Sequence, residues 1–167
     1  DPGTYTLSTE LDYRAIVKKM QFGSDSQVRT TVTFPEGFTM KEIFKRLEEN
    51  KICKYDDLME SAANHDYSYK FLDGIPLGDA SRLEGFLFPD TYEFYVGMQA
   101  SSAINKLLET FYYKQTADML KMAEYRGITM HDVVVMASLI EKEAANDDER
   151  PIISSVIYNR FNAGMSL

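Results

Sequence analysis

The stretch Val133-Val134-Val135-Met136-Ala137-Ser138-Leu139-Ile140-Glu141-Lys142-Glu143-Ala144-Ala145 limits the possible folds more than any other. It is an apolar segment that ends on two carboxylates. A helix turns about 100° per residue. On that wheel Val133, Met136, Ala137, Ile140 and Ala144 form one apolar stripe. Glu141 and Glu143 flank the stripe on opposite sides, and Lys142 points away from it. Such a helix must bury one face, so the acids stand at the margin of a core. A carboxyl at that margin can lose part of its hydration, which raises its pKa and suits it to general-acid work. The plainer reading is that both are boundary glutamates of an amphipathic helix, and pattern alone favours it.

The bulk composition is that of an ordinary globular chain. With 167 residues there is room for one domain, or a small unit and part of another. Apolar residues make up 44% and charged residues 26%, a normal balance. The net charge of -8, with no Lys/Arg cluster to offset it, argues against nucleic acid as a partner. Cys53 is the sole cysteine, so no internal disulfide can form, and it reads as a core filler. His65 and His131 lack ligand-like spacing, and no metal is expected. There is no Gly-rich phosphate loop or nucleophile elbow. No apolar run approaches the roughly 20 residues of a membrane span. Both termini read as cuts within a longer protein.

Residues 1–28 read as a small unit: a short strand at Gly3–Leu7, then a helix from Glu10 to about Gln21 capped by Thr9. Leu11, Ile16, Val17 and Met20 face inward, and Gly23–Ser26 forms a turn. Val28 to Phe34 alternates as a strand. Pro35-Glu36-Gly37 turns the chain into a capping box, Thr39-Met40-Lys41-Glu42, with Phe38 and Ile43 as staple. Ile43, Phe44 and Leu47 face the core of a helix ending near Asn50. Two short helices are expected at Tyr55–Ala63 and Tyr67–Leu72.

Leu83–Tyr95 holds five aromatics in an extended setting interrupted by Gly85 and Pro89, which suits an edge strand or a strand–turn–strand. Rings beside acids in an irregular strand suit a carbohydrate cleft; the alternative is that Phe86, Phe88 and Tyr92 are core, and for the two phenylalanines that reading is the stronger. Glu84, an acid inside an apolar run, needs a partner. A long helix from Ser101 or Ser102 to about Tyr125 follows, with Ile104, Leu107, Leu108, Phe111, Met119, Leu120 and Ala123 on one face and Gly127 as its stop. Thr129–Asp132 is a second capping box, with Ile128 and Val133 as its staple. Asn146–Glu149 opens a last helix that tolerates Pro151, buries Ile152, Ile153, Val156, Ile157 and Phe161, and ends at Gly164. Asn159 shares a face with Ile152 and Val156, so it either satisfies a buried group or faces the cleft of the glutamates. The expected architecture is α+β, mainly helical around a small, largely antiparallel sheet from the strands near 29–34 and 83–95.

Four motifs then occur in order: Phe34-Pro35-Glu36-Gly37, Leu83-Glu84-Gly85-Phe86-Leu87-Phe88-Pro89-Asp90-Thr91-Tyr92, Ala137–Ala144, and Asn159-Arg160-Phe161 with Gly164-Met165. Together, over roughly residues 29–167, they resemble the YceG-like (MltG) family of endolytic murein transglycosylases. Residues 1–28 resemble the end of the small LysM-like domain that precedes the catalytic domain in that family. The resemblance implies a membrane-anchored protein on the outer face of the cytoplasmic membrane, with peptidoglycan glycan strands as substrate and cell-wall synthases as candidate partners. It implies cleavage of the β-1,4 bond between N-acetylmuramic acid and N-acetylglucosamine, leaving 1,6-anhydro-muramic ends. One carboxyl suffices for that chemistry, because the sugar's own hydroxyl replaces water. Some members are described as pyridoxal-phosphate lyases. No lysine here has a cofactor-binding setting, so no cofactor is expected.

Between the two glutamates, Glu143 is the expected acid. Its wheel neighbours Met136, Leu139 and Ile140 make a bulkier apolar wall than the Val134 and Ala137 beside Glu141. Glu143-Ala144 also resembles the Glu-Ser step of lysozyme-like transglycosylases. Glu141 is the second choice, and Glu84, Tyr92, Ser138 and Asn159 are the expected substrate contacts. In the family a Gln-Ser/Thr-Asp-Pro-Thr segment follows the Gly-Met stretch, whereas this chain stops at Leu167, so an incomplete cleft and an exposed patch are expected. The competing readings are a non-catalytic peptidoglycan-binding or scaffold module, and a cytoplasmic interaction domain without sugar chemistry.

Overall fold

Three threonines open helices. In the computed structural model, which describes residues 13–21 and 29–166, each of Thr39, Thr116 and Thr129 sits in extended backbone and accepts a hydrogen bond from an amide three residues on. Two of these are full capping boxes: Thr39 with Glu42 starts α2 (Met40–Glu49), and Thr129 with Asp132 starts α6 (Met130–Glu143). Each cap is worth about 1 kcal/mol. The chain forms two compact units, Asp1–Lys114 and Gln115–Leu167.

In the first unit, α1 (Tyr13–Gln21) covers the described part of the helix expected from Glu10. Its Ile16 and Val17 are half-buried, but Met20, expected inward, is exposed. The expected strand at Gly3–Leu7, the Thr9 cap, the Leu11 contact and the Gly23–Ser26 turn lie outside the described residues. Strand β1 (Arg29–Thr33) pairs antiparallel with β2 (Thr91–Tyr95), with Val32 opposite Tyr92 and Thr30 opposite Phe94. The architecture is α+β: mainly helical with a small antiparallel sheet.

The sheet's inner face carries Val32, Tyr92 and Phe94, all buried. Its outer face carries the Arg29–Glu93 ion pair (3.0 Å) and a Thr33–Thr91 hydroxyl bond (2.8 Å). The same unit's helices each bury one apolar stripe: Met40, Ile43, Phe44 and Leu47 on α2; Leu58 and Ala62 on α3 (Tyr55–Asn64), which packs on both other helices; Ala103, Ile104, Leu107 and Leu108 on α4 (Ala100–Lys114). Phe34, Phe44, Phe86 and Phe94 are fully buried. Each contributes about 1.5–3 kcal/mol by leaving water. Only one short helix stands between residues 55 and 72. The second expected one shrinks to a 3₁₀ turn, Lys70–Leu72, too tight to propagate.

The second unit contains α5 (Ala117–Arg126), α6, a 3₁₀ turn (Asp147–Glu149) and α7 (Arg150–Asn162). The long helix expected to reach Tyr125 is therefore two, because Thr116 caps a new start. Gly127 ends α5 with φ of 65°, and the Ile128 amide donates back to the Ala123 carbonyl at 3.1 Å, a Schellman closure. Arg126 lies over the Tyr158 ring at 4.7 Å. Here the expected burial fails. Of the α7 residues predicted inward, Ile157 is buried, but Ile152, Val156 and Phe161 are exposed, as are Met119 and Leu120 on α5. A unit of this length cannot seal every apolar face it presents. Among the described residues no helix is long and apolar enough to cross a membrane.

The second capping box predicts a pH response. The Thr129 hydroxyl and then the Thr129 amide donate to Asp132 and hold its carboxyl below the ordinary value of 3.8. A carboxyl lowered by folding stabilises the fold above its unfolded value and loses that contribution as pH falls through its folded value. Amide exchange in α6 is therefore expected to accelerate as pH drops below 3.8, after correction for intrinsic rates. Asp132→Asn, which keeps an acceptor without the charge, should flatten that response.

Candidate active site

Helix α6 sets the position of the two candidate acids, and its own composition decides their surroundings. No α6 residue is buried, and Val133, Val134, Met136, Leu139 and Ile140 are half-buried. Glu141 and Glu143 are both exposed. The dry margin expected from the helical wheel is therefore not supplied by the Gln115–Leu167 unit, for the reason that leaves α7 uncovered: too few helices for the apolar surface.

The acids nonetheless differ. Glu141 Oε2 lies 3.0 Å from Arg150 Nη2, and Arg150 Nη1 lies 3.3 Å from Asp147 Oδ1. Arg150 is the first residue of α7. A cation at a helix N-terminus opposes the macrodipole, so it is held there by carboxylates on both sides. The side chains of the Arg150–Glu141 pair are 46% and 51% exposed, which limits the contact to about 1 kcal/mol or less. It still occupies the Glu141 carboxylate. Among the described residues Glu143 has no hydrogen-bond or ion-pair partner. Ala144 closes the helix in extended backbone directly after it, its amide donating to Ile140. Glu149 folds back on the same connection: its Oε2 accepts from the Ala145 amide at 3.0 Å, and Asn146 donates to its Oε1 at 3.1 Å.

Arg150 is the participant that sequence reading misses. Its signal was present: an arginine at the start of a helix, after Asp147-Asp148-Glu149, requires anionic partners. Ser138 is exposed, and its hydroxyl donates to the Val135 carbonyl of its own helix at 2.8 Å. Asn159 is exposed on α7, so it satisfies no buried group there.

Glu84 and Tyr92 belong to the Asp1–Lys114 unit, where each has an internal partner. Glu84 Oε1 accepts from the Met40 amide, the first residue of α2, at 2.9 Å. That is the partner an acid in this run requires. An anion at that helix end is also favoured by the dipole. Tyr92, expected to stack on sugar, is instead core: it is 6% exposed, packs on Phe34 and Phe94, and donates its hydroxyl to the Phe88 carbonyl at 2.7 Å. Burial raises its phenol pKa. Alternation along β2 puts residue 92 inward and residue 93 outward, which removes that ring from any surface. Burial, followed by Asp57 and Glu48, pushes the Cys53 thiol up to about 12, so it carries no thiolate chemistry.

With this geometry in hand, similarity to known proteins assigns the class. The profile of the YceG-like family matches residues 1–167, and the chain belongs to that family. Among its relatives, the endolytic murein transglycosylase of Bacillus subtilis (strain 168) is 31% identical over 181 residues, covering 99% of this chain and 48% of that protein. The endolytic murein transglycosylase of Streptococcus pneumoniae serotype 2 is 29% identical over 185 residues, covering 99% of this chain and 33% of that protein. The crystal structure of a YceG-like protein from Listeria monocytogenes matches with a TM-score of 0.67 at 25% identity, over 95% of this chain and 55% of that one. The chain thus spans a third to about half the length of the curated relatives it matches.

The structural role of Glu84 is open to direct measurement. Glu84→Ala is expected to lower the stability of the Asp1–Lys114 unit by about 1 kcal/mol, and Glu84→Gln, which keeps the acceptor but not the charge, by less. Urea unfolding followed by tyrosine fluorescence reads both. A carboxyl without a structural duty would leave the midpoint unchanged in each variant.

Proposed function

We propose that this chain carries the catalytic acid of an endolytic lytic transglycosylase acting on murein. The observation that carries the reading is the match along 99% of the chain to relatives named endolytic murein transglycosylase. The choice of residue rests on the α6–α7 connection. There Arg150 occupies Glu141 and leaves Glu143 uncommitted.

The chemistry needs one carboxyl used twice. Glu143, protonated, gives its proton to the oxygen of the β-1,4 bond between N-acetylmuramic acid and N-acetylglucosamine, and that oxygen leaves as the 4-hydroxyl of N-acetylglucosamine. The resulting carboxylate then takes the proton of the muramic 6-hydroxyl as that oxygen bonds to C1. The product is a 1,6-anhydro end, the acid is restored, and no water is consumed. This departs from the two-carboxylate arrangement of ordinary glycosidases. The resting helix leaves Glu143 in water, so the sugar itself supplies the desolvation when it covers the exposed end of α6. Ser138 and Asn159, both exposed on the helices that flank the connection, are the polar groups assigned to orient the glycan. A murein substrate is consistent with a place on the outer face of the cytoplasmic membrane, and we propose residues 1–28 as the end of a LysM-like unit.

The test is digestion of purified glycan strands by the full-length protein and its variants. Glu143→Gln is expected to lower the rate of anhydro-end formation by about 10²–10⁴-fold, the usual worth of a general acid. Its melting temperature should not move, since the side chain is exposed and has no partner among the described residues. Glu141→Gln should keep most activity. Loss of activity in Glu141→Gln but not in Glu143→Gln would reverse the assignment. Strands left intact by the parent protein would mean a binding module and no enzyme.

A further inference from the structure

The residues between α3 and β2 enclose a cleft of about 410 Å³ that the proposed chemistry does not use. Its volume is in the range of small-molecule sites. Tyr69, Leu72 and Leu77 line it with apolar surface, Asp66 and Asp73 stand at it, and Arg82 forms part of its wall. Arg82 is only 8% exposed and is the one charged residue among the described buried set.

A guanidinium so far out of water needs compensation. Arg82 Nη2 donates to the His65 carbonyl at 3.1 Å, at the C-terminal end of α3, where the helix dipole offers a partial negative charge. That is the hydrogen bond found for it among the described residues. Its Nε is buried without an acceptor. No carboxylate oxygen of the described residues comes within ion-pair distance of it, although two aspartates share the cleft. A buried cation held by one carbonyl is under-compensated. A planar guanidinium is matched in shape and charge by a carboxylate. The two aspartates oppose any anion that Arg82 does not pair directly, which limits the occupant to a single carboxylate, and the tyrosine and leucine side chains of a mixed lining favour an acid carried on an organic body.

We propose that the Arg82 cleft is a binding site for a monoanionic carboxylate borne on a sugar or a short peptide. Two sources carry that group in murein: the lactyl acid of muramic residues and the carboxyl end of stem peptides. The choice of these probes rests on the murein reading, but the need of Arg82 for an anion does not.

The experiment is a nuclear magnetic resonance titration of the labelled chain, following the Arg82 Nε–H signal and the Leu77 methyls. The probes are N-acetylmuramic acid, D-alanyl-D-alanine and, as the matched sugar without the acid, N-acetylglucosamine. Saturable shifts with one or both acids, and none with N-acetylglucosamine, are expected. A response to the first acid alone assigns the sugar source, and to the second alone the peptide source. Arg82→Met should abolish the Leu77 response, while Arg82→Lys should retain a weakened one. Absence of a saturable shift with either acid, or equal shifts with N-acetylglucosamine, overturns the proposal, as does an undiminished Leu77 response in a folded Arg82→Met protein. The unsubstituted chain decides the first two outcomes whether or not the variants fold. Because the readout is binding at residues remote in sequence from Glu143, a negative result here and a negative glycan digest are separate findings.

Discussion

A two-stranded ribbon is marginal in water by itself, so β1 and β2 exist only because an aromatic layer covers one of their faces. Phe34, Tyr92 and Phe94 form that layer, with ring centroids about 6 Å apart. It is anchored at both edges. On one side Arg46 of α2 donates to the Thr33 carbonyl at 2.8 Å, tying the helix to the end of β1. On the other, Lys106 of α4 donates to the Glu93 carbonyl of β2. Glu84 completes the frame by holding the first amide of α2 from the loop that leads into β2. One segment therefore places an acid on a helix end, Phe86 in the core, and Tyr92 and Phe94 under the sheet. The constraint is geometric as well as hydrophobic, since Gly85 takes φ of 81° between Glu84 and Phe86, a region that disfavours a side chain.

The second unit is organised on a different basis. Its order comes from termini: the Schellman closure at Gly127, the capping box at Thr129, and the Asn146–Glu149 exchange before α7. Local hydrogen bonds of this kind fix where helices start and stop but remove little apolar surface from water. Half-buried α6 and largely exposed α7 follow directly. So does the exposure of both glutamates, because a carboxyl can be desolvated only by a neighbour that covers it. On the proposed reading, the acid is dry only in the substrate complex.

How far the sequence predicts these features depends on their range. Both capping boxes, the αL glycine at 127 and the α2 stripe are written within a few residues, and all are found. Of the extended stretch expected over Leu83–Tyr95, only Thr91–Tyr95 is a strand, because a 3₁₀ turn ends at Leu83 and Gly85 turns the chain after it. The split between α4 and α5 is missed because the apolar period runs on through Phe111, Met119, Leu120 and Ala123. Only the Thr116 cap, with its amide partner at Met119, marks the break. Tyr92 is misplaced for another reason: an aromatic in an irregular strand reads alike as platform or core until the register with Val32 is known. The burial expected for Ile152, Val156 and Phe161 fails because periodicity says which residues share a face and never whether a neighbour exists to cover it. For Arg150 the sequence shows a cation at a helix start after three acids, but that Glu141 of the preceding helix is the second partner is visible only in space.

That pairing also bears on why two glutamates occur where the proposed chemistry needs one. Residues 141 and 143 are about 200° apart on a helix, so they cannot both face the same neighbour. Arg150, placed at the first residue of α7 against an unfavourable dipole, takes the acid on its own side together with Asp147. The acid on the other side is left without a competing donor. A residue that must hold and release a proton within one reaction is better served by that position than by one facing a permanent cation. On the proposed reading, then, Glu141 builds the turn that presents Glu143.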